Sequence, residues 1–123
     1  MLDILFVGTG GFLGAASRYL AGQAAAGLLP VPAATFCINA AGSLLIGIVS
    51  VTAQRYTMAG HPVVLLLQAG FCGGFTTFST FSLELFTMLS QGRYSAAALY
   101  GTASVLCCLF CVIAGRAAAA LFI

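Results

Sequence analysis

The stretch Gly70–Glu84, GFCGGFTTFSTFSLE, lies inside an apolar run from Pro62 to Ser90 and decides how that run is read. At about 1.5 Å per helical residue, Val63 to Cys72 alone rises roughly 15 Å, about half of a hydrocarbon core on the order of 30 Å thick. That depth puts Gly73 and Gly74 near the middle of a bilayer, with Thr76 and Thr77 directly after Phe75. Each glycine weakens a helix by roughly 1 kcal/mol relative to alanine. Bare backbone groups at such a depth are tolerated only against protein, water or an ion. The run therefore reads as a helix broken at Gly73-Gly74, near the bilayer midplane, with the break serving as a site. Beyond it Phe78 and Phe81 share one helical face and Thr77 and Thr80 another, and Glu84 follows Phe81 by about a turn.

Outward from this stretch, three more apolar segments run from about Ile4 to Leu28, Ala33 to Ala53 and Tyr94 to Ala120. Each is long enough to span, since a vertical crossing needs roughly 20 residues. The whole chain, 1–123, reads as a single four-span all-α membrane domain. Of its 123 residues 62% are hydrophobic and six carry charge, with no lysine, and the mean hydropathy is +1.14. This composition excludes an ordinary soluble domain. A dispersed net charge of +2 gives no footprint for nucleic acid. No basic leader with a small-residue cleavage site precedes the first apolar segment, which is expected to stay as a membrane anchor. Cys37, Cys72, Cys107, Cys108 and Cys111 all lie in apolar stretches and read as small packing thiols, ahead of disulfides or a metal site.

Orientation signals are weak. Four spans put Arg55 and Arg116 toward one face, Arg93 toward the other, and Arg18 nearer Arg93 but deep in the first span. So even a distribution of positive charge lets a chain insert both ways. Two oppositely inserted copies could then pair about an axis in the membrane plane. Gly10 and Gly14, with Gly11 and Ala15 at the same spacing, favour close backbone packing and carry no chemistry.

Asn39 lies well inside the second span. It is either an interhelical hydrogen-bonding residue or a neutral N–H donor facing an anion path. Arg18 and Glu84 are charges away from the membrane ends, which marks them as pairing with each other or as two vestibule residues with separate partners. Tyr100, Ser104 and Cys108 recur every four residues on one face; their hydroxyls either line a path or bond back to their own helix. The edges of Phe78 and Phe81 carry partial positive charge and can meet a small anion.

GGFLGAASRY (Gly10–Tyr19), the Asn39 segment and above all GFCGGFTTFSTFSLE closely resemble the Fluc (CrcB) family of bacterial fluoride channels, over essentially the whole chain. The resemblance implies a dual-topology, antiparallel homodimer with two fluoride pores and a central structural Na⁺, residing in the cell (inner or plasma) membrane. It implies Na⁺ ligation by the backbone carbonyls of Gly73 and Thr76. It implies a pore lined by Asn39, Phe78, Phe81, Ser79, Thr80, Tyr100 and Ser104, with Cys108 standing where some relatives carry serine. Arg18 would be the vestibule arginine, and Glu84 is kept as its vestibule companion. The expected partners are the bilayer and a second copy of the chain, with no protein substrate. A proton-coupled exporter resembling the small multidrug resistance transporters is the alternative, but the first span lacks a buried carboxylate and the chain has no tryptophan. No nucleophile–base or metal-ligand set supports an enzyme.

Overall fold

The computed structural model describes residues 2–58 and 60–122. Its four long apolar segments, Leu2–Ala25, Val31–Arg55, Pro62–Ser90 and Tyr94–Phe122, are each helical and long enough to cross a membrane. Helices α1 (Leu2–Ala25) and α2 (Val31–Arg55) are continuous. The third span is two helices, α3 (residues 62–75) and α4 (Phe78–Ser90), and the fourth is α5 (Tyr94–Phe122). Against the sequence reading, α1 stops earlier, at Ala25, while α2 and α5 run on slightly to Arg55 and Phe122.

Helix α3 starts at Pro62, whose missing N–H costs nothing at the first position, while His61 Nδ1 accepts from the Val63 N–H at 3.3 Å. Its middle, Leu65–Cys72, winds in wide π turns, and Gly73–Phe75 returns to ordinary helix. The two glycines expected to break the span are thus helical, and the interruption falls at Thr76-Thr77, with Thr76 at φ −77°, ψ 159° and Thr77 at φ −146°, ψ 107°. For Gly74 the reason is packing, whereas a Cβ on Gly73 would meet nothing within 4 Å. A Cβ on Gly74 would lie 2.5 Å from the Gly11 carbonyl oxygen, and one on Gly70 would lie 2.8 Å from Gly10 Cα. These glycines bring the α3 backbone against α1, and that contact outweighs their poor intrinsic helicity.

The second tight seam joins α2 to α5, where a Cβ on Gly47 would strike the Val112 carbonyl and one on Gly115 the Leu44 carbonyl. Most large apolar side chains, Phe12, Leu83, Phe110 and Leu121 among them, point outward, as a surface solvated by lipid chains requires. Two connections end in the same helix-terminating pattern. After α4, the Arg93 N–H donates to the Met88 carbonyl at 2.9 Å and the Gly92 N–H to Leu89 at 3.0 Å, with Gly92 in the left-handed region at φ 71°. After α2 the same two bonds form at Met58 and Thr57, but there the left-handed position, φ 53°, is occupied by threonine.

Candidate functional site at the helix break

An interrupted helix leaves backbone groups that must be satisfied elsewhere. Here Asn39 on α2 takes both groups of one residue: its Oδ1 accepts from the Thr77 N–H at 2.8 Å, and its Nδ2 donates to the Thr77 carbonyl at 3.2 Å. The side-chain amide thereby stands in for a neighbouring strand. In a continuous helix the Thr77 N–H would serve the Gly73 carbonyl. Its diversion to Asn39 releases that carbonyl from the ladder. Thr77 itself is buried and caps α4, accepting from the Thr80 N–H at 3.2 Å and donating to Thr80 Oγ1 at 2.9 Å. Ser79 Oγ lies 3.4 Å from the same hydroxyl. Thr76, extended and out of the helix, offers its carbonyl to Arg18 Nη1 at 3.2 Å.

Arg18 and Glu84 line one cavity of about 360 Å³ together with Thr35, Thr77 and Thr80, yet their hydrogen bonds go to separate partners. Glu84 Oε1 accepts from the Thr35 hydroxyl at 2.7 Å and Oε2 from the Tyr100 hydroxyl at 2.6 Å. Both donors are neutral hydroxyls, and neither carboxylate oxygen is given to Arg18. Of the alternatives read from the sequence, the structure has the two residues with separate partners and not as a pair.

A second cavity, about 490 Å³, lies on the other side of Thr77 and is lined by Asn39, Gly73, Phe78, Phe81, Ser104 and Cys108, among others. Phe81 is buried, its ring centroid 5.3 Å from that of Tyr100. Phe78, 5.6 Å from Phe81, is 79% exposed. The α5 hydroxyls do not bond back to their own helix as those of Thr52, Ser82, Thr87 and Ser90 do to theirs. Tyr100 reaches Glu84, and Ser104 Oγ is buried with no hydrogen-bond partner among the described residues. Asn39 occupies a middle position between its two readings: it is an interhelical hydrogen-bonding residue that also lines the cavity.

The profile of the CrcB-like protein family (Camphor Resistance, CrcB) matches residues 5–116. The chain belongs to this family. It is 44% identical to a protein of Chlorobium luteolum over 85% of this chain and 81% of the relative. It is 41% identical to one of Chlorobaculum tepidum over 99% of this chain and 98% of the relative. With a protein of Methanococcus maripaludis it shares 39% identity over 99% of each chain. All three relatives are named fluoride-specific ion channel FluC. With its four spanning helices, this CrcB-like chain is a multi-pass protein of the cell membrane and not an enzyme.

One residue of this cluster escaped the sequence reading. Thr35 lies one helical turn before Asn39 on the same face of α2, a spacing that could have flagged it. Thr77 was legible as a polar residue after the glycines, but its capping role appears only once the break is moved to Thr76-Thr77. Of the cysteines, Cys72 is the most buried, Cys108 lines the larger cavity, and Cys37 is exposed.

Proposed function

We propose that this chain is a fluoride-selective channel that lets fluoride leave the cytoplasm passively and so limits its toxicity inside the cell. The observation that carries the reading is the Ser104 hydroxyl, buried and unpartnered beside Asn39 and Phe81 on one cavity. A buried donor left unpaired costs about 1–3 kcal/mol, and an anion in the cavity would remove that cost. The names of the relatives support fluoride as that anion. A small, strongly hydrated ion needs its water replaced by several close donors in turn. Asn39, the hydroxyls of Ser79, Thr80 and Ser104, and the ring edges of Phe78 and Phe81 offer such a series, with Tyr100, whose O–H is given to Glu84, packed against Phe81 beside them. Arg18 and Glu84 belong to the vestibule, where the arginine raises the local anion concentration.

The same reading makes the working unit an antiparallel homodimer inserted in both orientations, with two pores. Phe78 and Gly73 are exposed beside the cavity in one chain, and a second copy would cover them. The break also fits a structural Na⁺. The Gly73 carbonyl is released from the helix ladder by Asn39, and the Thr76 carbonyl, outside the ladder, retains a lone pair beyond the one facing Arg18. Gly73 and Thr76 of each copy would hold the ion. Bound there, Na⁺ supplies fixed positive charge where two breaks meet.

Fluoride and chloride efflux from liposomes reconstituted with the purified protein tests the proposal. Fluoride should pass and chloride should not; equal fluxes, or none for fluoride, would reject it. Phe78→Ile and Phe81→Ile should each cut fluoride efflux severely while the dimer persists, and wild-type efflux in both would take the rings out of the path.

A further inference from the structure

The cavities described so far lead from Arg18 and Glu84 past Thr77 to Ser104 and Cys108, about halfway through the bundle. A further cavity, also about 490 Å³, continues between α2 and α3 toward the end where Arg55 and Arg116 lie. It shares Ile46, Gln68 and Ala69 with the cavity at the break. Gln68 is therefore the one polar side chain at the junction. It sits on the wide turns of α3, half-buried. None of the side-chain hydrogen bonds among the described residues uses its amide. An amide inside a membrane span is stable only if something polar meets it.

At the far wall, Arg116 donates from Nη1 to Ser50 Oγ at 2.9 Å and from Nη2 to Gln54 Oε1 at 3.1 Å. Both acceptors are neutral, so the guanidinium charge is not cancelled by its partners. Arginine can only donate, which fixes the oxygen end of Gln54 against it and leaves the amide nitrogen free. Ser50 and Gln54 line the cavity, and none of its lining side chains is acidic. A space with amide donors along its walls and an uncompensated cation behind them suits an anion.

We propose that Gln68 is a donor station for the permeating anion between the break and the Arg116 end of the bundle. Arg116 acts there as a positioning residue, holding Gln54 and supplying the field of the second mouth. This rests on the channel reading above and extends it to the half of the path that the helix break does not furnish.

The test compares fluoride efflux from liposomes holding wild type, Gln68→Leu, Gln68→Asn or Arg116→Gln, with oligomeric state followed by size-exclusion chromatography. Gln68→Leu should lose about tenfold in flux as a dimer, the loss expected when a donor to a charged ion is removed, and Gln68→Asn should recover part of it. Arg116→Gln should slow efflux at low ionic strength, with the deficit shrinking as a spectator gluconate salt screens the field over a Debye length of about 10 Å at 0.1 M. Wild-type flux in Gln68→Leu, or a loss accompanied by dissociation to monomers, would overturn the assignment of Gln68. A salt-independent deficit would overturn that of Arg116. Failure of the wild type to pass fluoride would instead sink the channel reading itself.

Discussion

Before the break, α3 meets α1 backbone to backbone, with Gly70 and Gly74 so close to Gly10 and Gly11 that a Cβ would not fit. After it, α4 meets its neighbours through side chains: Phe81 on Tyr100, Glu84 on Thr35 and Tyr100, and the cap Thr77 on Asn39. The two halves of one span therefore do different work. Contact between backbones leaves nothing to adjust and holds α3 as an anchor. Contacts through hydroxyl, carboxylate and phenyl groups can be tuned by single residues, and the polar chemistry collects there. The break between them lets one span be both.

The contrast is most open to attack at the anchor. Gly70→Val should push α3 off α1 and destabilise the folded protein by about 3 kcal/mol, read as a lower midpoint of thermal unfolding in detergent; an unchanged midpoint would mean the seam is not tight. Next in size, Asn39→Ala leaves both backbone groups of Thr77 unpaired and should cost about 2 kcal/mol by the same measurement. Because it acts at the break, it should also depress fluoride efflux, which Gly70→Val can do only by unfolding. Smaller again, Tyr100→Phe removes one donor from Glu84 and should cost about 1.5 kcal/mol; if Tyr100 merely packs on Phe81, the change will be near zero. The smallest effect is a gain. Thr57→Gly relieves a β-branched residue in the left-handed region, offset by glycine's chain entropy, and should raise stability by about 0.5 kcal/mol with efflux unaltered.

The polar residues of the third span were easy to single out, because Thr77, Thr80 and Glu84 are expensive in an apolar run. Their partners were harder. Glu84 draws one donor from α2 and one from α5, and Arg18 reaches across from α1 to a carbonyl that no side-chain pattern announces. The choice between an Arg18–Glu84 pair and separate partners had no answer in one dimension, since both residues line the same cavity and either geometry has the same spacing.

What the chain alone settled was the set of four spans, the close-packing role of Gly10 and Gly14, and the region where the third span is interrupted. Apolar length, small-residue spacing and misplaced polarity are all local properties that a linear reading captures. The folded bundle decided the rest: that Gly73 and Gly74 stay helical, that the interruption falls at Thr76-Thr77, and which atoms meet there. Propensity marks glycine as a weak point, but a helix parts where competing partners exist for its backbone. Only the arrangement of α2 beside the third span brings the Asn39 amide to Thr77.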